Sequence, residues 1–252
     1  MSPDIHGTDQ HAEAHSWRPA RFMVIVAHPD DAEFTMAGTV ALWTAAGAAV
    51  CYVLCTRGDR GSNDPDVTPW ALARVREAEQ RAACAILGVE DVVLLDHPDG
   101  TLEPTLTLRR DLTREIRRFR PEVVLCADPT VRAYGDGYLN HPDHRAAASA
   151  ALDAVFPSAG TRYIFPELLA AGYEPYDVHA VYIHGSMEPN TWIDIAPVME
   201  AKIRALQAHK SQVGGFPVEA WVRGMAEEEG RAQGLAAAES YRVVVINGHD
   251  EA

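Results

Sequence analysis

The chain is short of positive charge. Its 252 residues carry 22 Lys and Arg against 36 Asp and Glu, a formal net charge of −14. Such a surface repels phosphate backbones and anionic headgroups over any long range, so nucleic-acid and membrane-surface roles are disfavoured. Cysteine is scarce as well. Cys51, Cys55, Cys84 and Cys126 lie in apolar segments without CxxC pairing, which argues against a disulfide framework or a zinc knuckle and reads as reduced, buried thiols. No uninterrupted apolar run reaches membrane-spanning length, and the N-terminus lacks a signal-type apolar core. The expectation is a cytoplasmic protein.

Residues 1–18, MSPDIHGTDQHAEAHSWR, have no periodicity and few large apolar side chains, the pattern of a disordered arm on which His6, His11 and His15 are solvated. Residues 19–252 read as one domain. Short, continuously apolar runs at 22–27, 49–56, 92–95 and 123–127 alternate with helical patterns at 34–46, 70–87, 107–119 and 143–155. Strands of that kind are buried on both faces, as in a parallel sheet. Further strands at 178–184 and 241–246 flank helices at 197–209 and 217–233. The fold class is α/β: Rossmann-like, doubly wound, with a mainly parallel sheet and helices on both faces. Ligands of such sheets sit beyond the carboxyl ends of the strands, and the polar clusters follow those ends. His28 and Asp30 come after the first strand, Arg57 and Asp59 after the second, Asp96 and Asp99 after the third, and Asp128 to His144 after the fourth.

Two of these clusters carry chemistry. AHPDD (27–31) and HPDH (141–144) together supply imidazoles and carboxylates enough for a metal site, and a cation there offsets the repulsion between Asp30 and Asp31. Three protein ligands with an open position make a catalytic zinc site; the remaining carboxylate and histidine suit a base and an oxyanion partner. The same ligand types also fit a non-haem ferrous oxygenase, or a metal- or sugar-binding protein without turnover. A third HPD, at 97–99, has no second histidine nearby, so His97 reads as a turn residue and Asp99 alone as a candidate ligand-binding acid.

AHPDD after the first strand, TRGDRG (56–61), HPDH before a helix and ALQAHKSQ (205–212) together resemble the PIG-L/LmbE-like N-acetylglucosamine deacetylases, over about residues 22–246. That family includes zinc deacetylases of mycothiol and bacillithiol biosynthesis, relatives acting on antibiotic glycosides, and the GPI-anchor pathway enzyme. The resemblance implies that His28, Asp31 and His144 hold zinc, with ferrous iron as an alternative, and that Asp30 is the general base. It further implies that His141 is the imidazolium stabilising the oxyanion and that Asp143 orients it. Arg57, Asp59, Arg74 and Asp99 are placed on the sugar hydroxyls.

The expected activity is removal of an acetyl or small acyl group from an N-acylated amino sugar or its conjugate. Cleavage of a larger thiol conjugate or glycosylated natural product is the variant reading. A homo-oligomer is expected by the same resemblance. Ala32 stands where many relatives carry Glu, so Glu33 reads as outer-layer or helix-start charge. His209 reads as a helix C-terminal cap, the 129–140 loop as a lid or a plain connection, Glu227 to Glu229 as solvated surface, and Trp17, Trp43, Trp70, Trp192 and Trp221 as packing.

Overall fold

The apolar runs do become strands of one sheet. The computed structural model describes residues 18–246, so residues 1–17 of the expected arm, with their histidines and Trp17, lie outside the described residues. The chain runs β1 (Arg21–Val26), α1 (Asp31–Thr35), α2 (Ala37–Ala45), β2 (Ala49–Leu54), α3 (Pro69–Leu87), β3 (Asp91–Leu94), α4 (Leu106–Phe119) and β4 (Val123–Ala127). A small hairpin of β5 (Ala133–Tyr134) and β6 (Tyr138–Leu139) leads into α5 (Pro142–Asp153) and α6 (Pro166–Ala170). The last third holds β7 (Ala180–His184), β8 (Thr191–Asp194), α7 (Met199–Gln207), α8 (Lys210–Val213), α9 (Val218–Arg231) and β9 (Ala238–Val245). Among the described residues no helix is long and apolar enough to cross a membrane.

The sheet order is β3-β2-β1-β4-β7-β9-β8. Strands β3, β2, β1, β4 and β7 pair in parallel, and β9 is antiparallel to both β7 and β8. The sheet is thus mainly parallel, as expected, but the final strand starts earlier than expected and runs against the others. β8 and the β5–β6 hairpin carry no apolar run of their own, which is why periodicity gives no sign of them. Chain order reverses between β1 and β4: β2 and β3 lie to one side, β7 to the other. Their carboxyl ends therefore frame the crevice where doubly wound folds take ligands.

Alternation along the central strands splits the core. Phe22, Val24 and Val26 of β1 pack with Trp43 of α2 and Leu87 of α3 on one face. Met23 and Ile25 pack with Leu108 and Leu112 of α4 and Ala147 and Ala151 of α5 on the other. A satellite cluster under α7 and α9 includes Ile203, Leu206 and Val222. Helix ends follow local chemistry. The Thr68 hydroxyl accepts the Ala71 amide with Pro69 at the first helical position, and Gly88, at φ 75°, closes α3.

The expected helix over 34–46 is broken at Met36, which leaves the helical region at φ −119°, ψ 1°. The cause is a buried ion pair that straddles the break. The Lys202 ammonium donates to the Thr35 carbonyl at the end of α1 (3.1 Å) and to Glu239 (2.6 Å). The Glu239 carboxylate accepts the Gly38 and Thr39 amides at the start of α2 (2.8 and 2.7 Å), the Thr39 hydroxyl (2.6 Å) and the Tyr241 hydroxyl (3.1 Å). Each charge sits at the helix end whose dipole it complements. A Cβ at Gly38 would lie 2.8 Å from the Glu239 carboxylate, so only glycine admits that approach.

Burial alone would raise the Glu239 carboxyl, but Lys202 and the Thr39 donors hold it below the ordinary glutamate value. Its stabilisation is complete above the unfolded glutamate value and is lost as pH falls through the lower, folded one. Lys202→Met leaves a buried, unpaired carboxylate and is expected to cost about 3–5 kcal/mol in urea unfolding at neutral pH. The deficit against wild type will shrink in acid, where Glu239 is protonated.

Candidate metal centre

At the end of β1 the chain turns through His28, Pro29 and Asp30. Asp30 adopts φ 90°, a left-handed conformation that costs a non-glycine residue energy and recurs where function over-determines the backbone. The turn separates the paired acids. Asp31 bonds back to the His28 amide (2.8 Å) and faces the histidines, while Asp30 faces Arg76 (3.1 Å). On the neighbouring strand's side, His141 caps α5, and its Nδ1 accepts the Asp143 amide at 3.2 Å. Helical spacing of three then brings His144 onto the same face. The His28, His141 and His144 rings lie 5.1–5.3 Å apart between centroids.

Asp31 joins two of them, with Oδ1 at 3.0 Å from His144 Nε2 and Oδ2 at 3.4 Å from His28 Nδ1. His28 Nε2 meets Asp99 at 3.1 Å and Asp143 at 3.3 Å. Ligand atoms of His28, His141 and His144 fall within 4.8 Å of one another, and so do those of His28, Asp99 and Asp143. Burial alone would lower His28, yet Asp31, Asp143 and Asp99 push it up to about 12. His144 is raised by Asp31 against its own burial, and Asp31 is held well below the carboxylate range by His144 and His28. Carboxylates thus converge on the imidazoles and favour positive charge among them. Two neutral imidazoles and one carboxylate are a donor set for a divalent ion, so the residues fit a metal.

Behind Asp30 lies a polar layer that the motifs do not announce. Arg76 is buried and donates to the Pro29 and Gly58 carbonyls (2.5 and 2.9 Å) as well as to Asp30. Gly58 sits at φ 64°, and a side chain there would collide with the Arg76 guanidinium, which accounts for the first glycine of TRGDRG. Gln80 accepts the Asp30 amide (3.1 Å) and donates to Glu33 (3.0 Å). Glu33 in turn lies 3.2 Å from His209 Nε2, both side chains fully buried. That contact is close but poorly aligned for a hydrogen bond, and both His209 ring nitrogens lack a well-directed partner. Burial raises the Asp30 carboxyl to about 7, against the pull of Arg76 and with help from Asp31.

The structure relocates several sequence expectations. The Asp143 carboxylate turns away from His141 (4.0 Å) because it accepts the Gly100 and Leu102 amides (2.7 and 3.2 Å) and meets His28, so the Asp143 backbone amide is what orients His141. Burial and its histidine neighbours lower His141 from the ordinary imidazole value. His209, just past the end of α7, is buried and packs on Glu33, while Ser211 ties α8 to Glu79 of α3 (2.6 Å). Arg57 pairs with Asp96 (2.7 Å) and Glu77 (3.0 Å), and Asp59 lies beside Arg60. Arg74 is exposed and stands over the ring of Trp70. Trp43 is buried as packing requires, but Trp70 is 70% exposed.

The 129–140 loop is a hairpin pinned by Tyr134 to the Gly185 carbonyl (3.0 Å) and by Asn140 to Val131 (2.8 Å). His97 bonds Asp111 in its turn (3.1 Å). Sequence reasoning missed Arg76 and Gln80. Their signal was their register, because both fall within the buried stripe Leu72, Ala73, Ala83, Cys84 and Leu87 of α3, where a polar side chain needs a partner.

The profile of the family described as "PIG-L: GlcNAc-PI de-N-acetylase" matches residues 23–155, a span that holds all of the metal-centre residues. The chain belongs to the PIG-L family. A diacetylchitobiose deacetylase of Thermococcus kodakarensis is 35% identical over 230 residues, which is 89% of this chain and 83% of that protein. Among PIG-L relatives of known structure, the N,N'-diacetylchitobiose deacetylase of Pyrococcus horikoshii, complexed with an inhibitor, superposes with a TM-score of 0.82 at 29% identity, covering 90% of this chain and 84% of that one. The fold also matches GalB, the 4-carboxy-2-hydroxymuconate hydratase of Pseudomonas putida, with a TM-score of 0.75 at 23% identity over 92% of this chain and 99% of that one. At that distance the likeness shows the fold alone.

Because the acids around His28 and His144 favour their protonated forms and a metal needs neutral imidazoles, loading the protein with a divalent cation near neutral pH is expected to release about one to two protons per ion. A pH indicator in weak buffer will read the release, and Asp31→Asn will abolish stoichiometric uptake. Uptake without proton release would show that the imidazoles are already neutral.

Proposed function

We propose that the protein is a zinc-dependent hydrolase that removes an acetyl or small acyl group from an N-acylated amino sugar or its conjugate. The observation that carries the reading is the division of labour in one turn: Asp31 faces His28 and His144, while Asp30, one residue away, is held apart by Arg76. A binding site alone has no need of a second carboxylate poised near neutrality. The chitobiose deacetylases among its relatives support an N-acetylglucosamine unit in the substrate.

In this reading His28, Asp31 and His144 hold zinc, and ferrous iron fits the same donors. Zinc bound there would polarise the amide carbonyl and make water a competent nucleophile near neutral pH. Asp30, raised to about 7 before the ion binds, takes the proton from the attacking water and returns it to the departing amine. The Asp143 amide occupies His141 Nδ1, so the ring's Nε2 is the nitrogen left to donate to the developing oxyanion. Asp143 and Asp99 steady His28 from its far side. Arg57, Asp59, Arg74 and Asp99 bind sugar hydroxyls.

Acetate release from N-acetylglucosamine derivatives by the zinc-loaded protein tests the reading. Asp30→Asn is expected to keep stoichiometric metal but lower kcat by about 10²–10⁴-fold. His141→Ala will lower kcat by about 10²–10³-fold with little change in KM. If Asp30→Asn loses the metal instead, the roles of Asp30 and Asp31 are exchanged.

A further inference from the structure

The turn that separates Asp30 from Asp31 takes its less favourable form. His28, Pro29, Asp30 and Asp31 make a β-turn in which the Asp31 amide approaches the His28 carbonyl at 3.4 Å. Asp30, at φ 90° and ψ −23°, has the dihedrals of the third position of a type II turn, where glycine is usual. Proline at the second position suits a type I turn equally well. Rotating the Pro29–Asp30 peptide plane by about half a turn would give type I, with Asp30 at an unstrained negative φ, and would swing its carboxylate in a new direction.

Two side chains of α3, one helical turn apart, hold that plane by its two edges. The Arg76 guanidinium donates to the Pro29 carbonyl (2.5 Å), and Gln80 Oε1 accepts the Asp30 amide (3.1 Å). The C=O and N–H of a trans peptide point in opposite directions, so a plane gripped at both cannot rotate without breaking both bonds. Arg76 is committed to the Asp30 carboxylate and the Gly58 carbonyl as well. The hydrogen bond from Asp30 to Gln80 comes from the backbone alone.

A glutamine amide has two ends, and the one that faces Asp30 is chosen from behind. A carboxylate only accepts, so Glu33 takes Gln80 Nε2 (3.0 Å) and leaves Oε1 for the Asp30 amide. The other Glu33 oxygen lies 3.2 Å from the His209 ring, with both side chains fully buried. Two residues further on, Ser211 binds Glu79, the neighbour of Gln80, at 2.6 Å. The stretch ALQAHKSQ thus backs the same turn of α3 that grips the Asp30 peptide.

We propose that Gln80 is a positioning residue for the reaction: oriented by Glu33, it locks the Pro29–Asp30 peptide in the form that turns Asp30 and Asp31 to opposite sides. This rests on the reading of Asp30 as the base and adds the device that keeps base and metal ligand apart.

Gln80→Met removes both hydrogen bonds at nearly constant volume. The zinc-loaded variant is expected to keep stoichiometric metal and its KM for N,N'-diacetylchitobiose while kcat falls about 10–100-fold. Glu33→Met, which leaves Gln80 in place without its orienting acceptor, is expected to follow it, and Glu33→Gln, which retains an acceptor, to recover most of that loss. Should Gln80→Met fail to fold, the contrast between the two Glu33 variants carries the same test, and equal kcat in both overturns the proposal. On an Asp30→Asn background Gln80→Met will lower kcat no further, because it acts through Asp30, whereas general damage to the fold would multiply the loss. Independently of turnover, the Asp30 backbone amide will exchange its hydrogen at least about tenfold faster in Gln80→Met than in wild type, with or without zinc. An unchanged exchange rate, an unchanged kcat, or a loss as large on Asp30→Asn as on wild type would overturn the proposal and leave the deacetylase reading intact. If wild type hydrolyses no N-acetylglucosamine derivative, that reading falls, and amide exchange alone decides the lock: faster exchange in Gln80→Met upholds it, and an unchanged rate overturns it.

Discussion

Electrostatic repulsion at the crevice between β1 and β4 is the constraint on which the rest depends. Asp31, Asp99 and Asp143 all approach His28 within 3.4 Å, and such a gathering of acids is stable only around positive charge. The acids favour the protonated form of His28 and His144, and a divalent ion among them would supply positive charge more strongly. The surrounding structure serves to keep these acids together. Two backbone amides hold Asp143, the Arg60 amide holds Asp99 (2.6 Å), and the His28 amide holds Asp31. Each carboxylate is oriented by backbone before any ligand arrives, which is the preorganisation that catalysis by fixed dipoles requires.

Asp30 is governed by different neighbours. Its left-handed backbone turns it from the histidines towards Arg76, and Gln80, Glu33 and His209 extend the polar layer behind it. A full ion pair with Arg76 would draw its pKa down, but burial and Asp31 offset that attraction. The result is a carboxylate poised near neutrality beside one that stays ionised, the separation of roles that paired acids acquire from unlike environments.

The scaffold does not choose the reaction. GalB, a hydratase by name, shares the fold at 23% identity, so the function must be argued from what this chain places at the switch point. Here these are a cluster of imidazoles and carboxylates, a second carboxylate set apart from it by Arg76, and a histidine at the head of α5. The groove beside them is lined in part by Trp70 and Arg74, on a helix whose opposite side supplies the Arg76 that pairs with Asp30.

The sequence alone was enough for the alternation of strands and helices, the mainly parallel sheet, and the meeting of AHPDD with HPDH beyond its strand ends. These follow from periodicity and from chain order, both local properties. The break at Met36 was not legible, because its cause is the Lys202–Glu239 pair, more than 160 residues away along the chain. Nor was the exchange by which the Asp143 backbone amide takes over the orientation of His141, since the carboxylate is claimed by the amides of Gly100 and Leu102. Arg76 and Arg74 differ by two residues in sequence and by burial in the fold, and Trp70 cannot be told from Trp43 without knowing which surface remains open. Residue types and their spacing determined which chemistry was available; which atom faces which, and therefore which charge is paired and which is free to react, was decided only by contacts between distant segments.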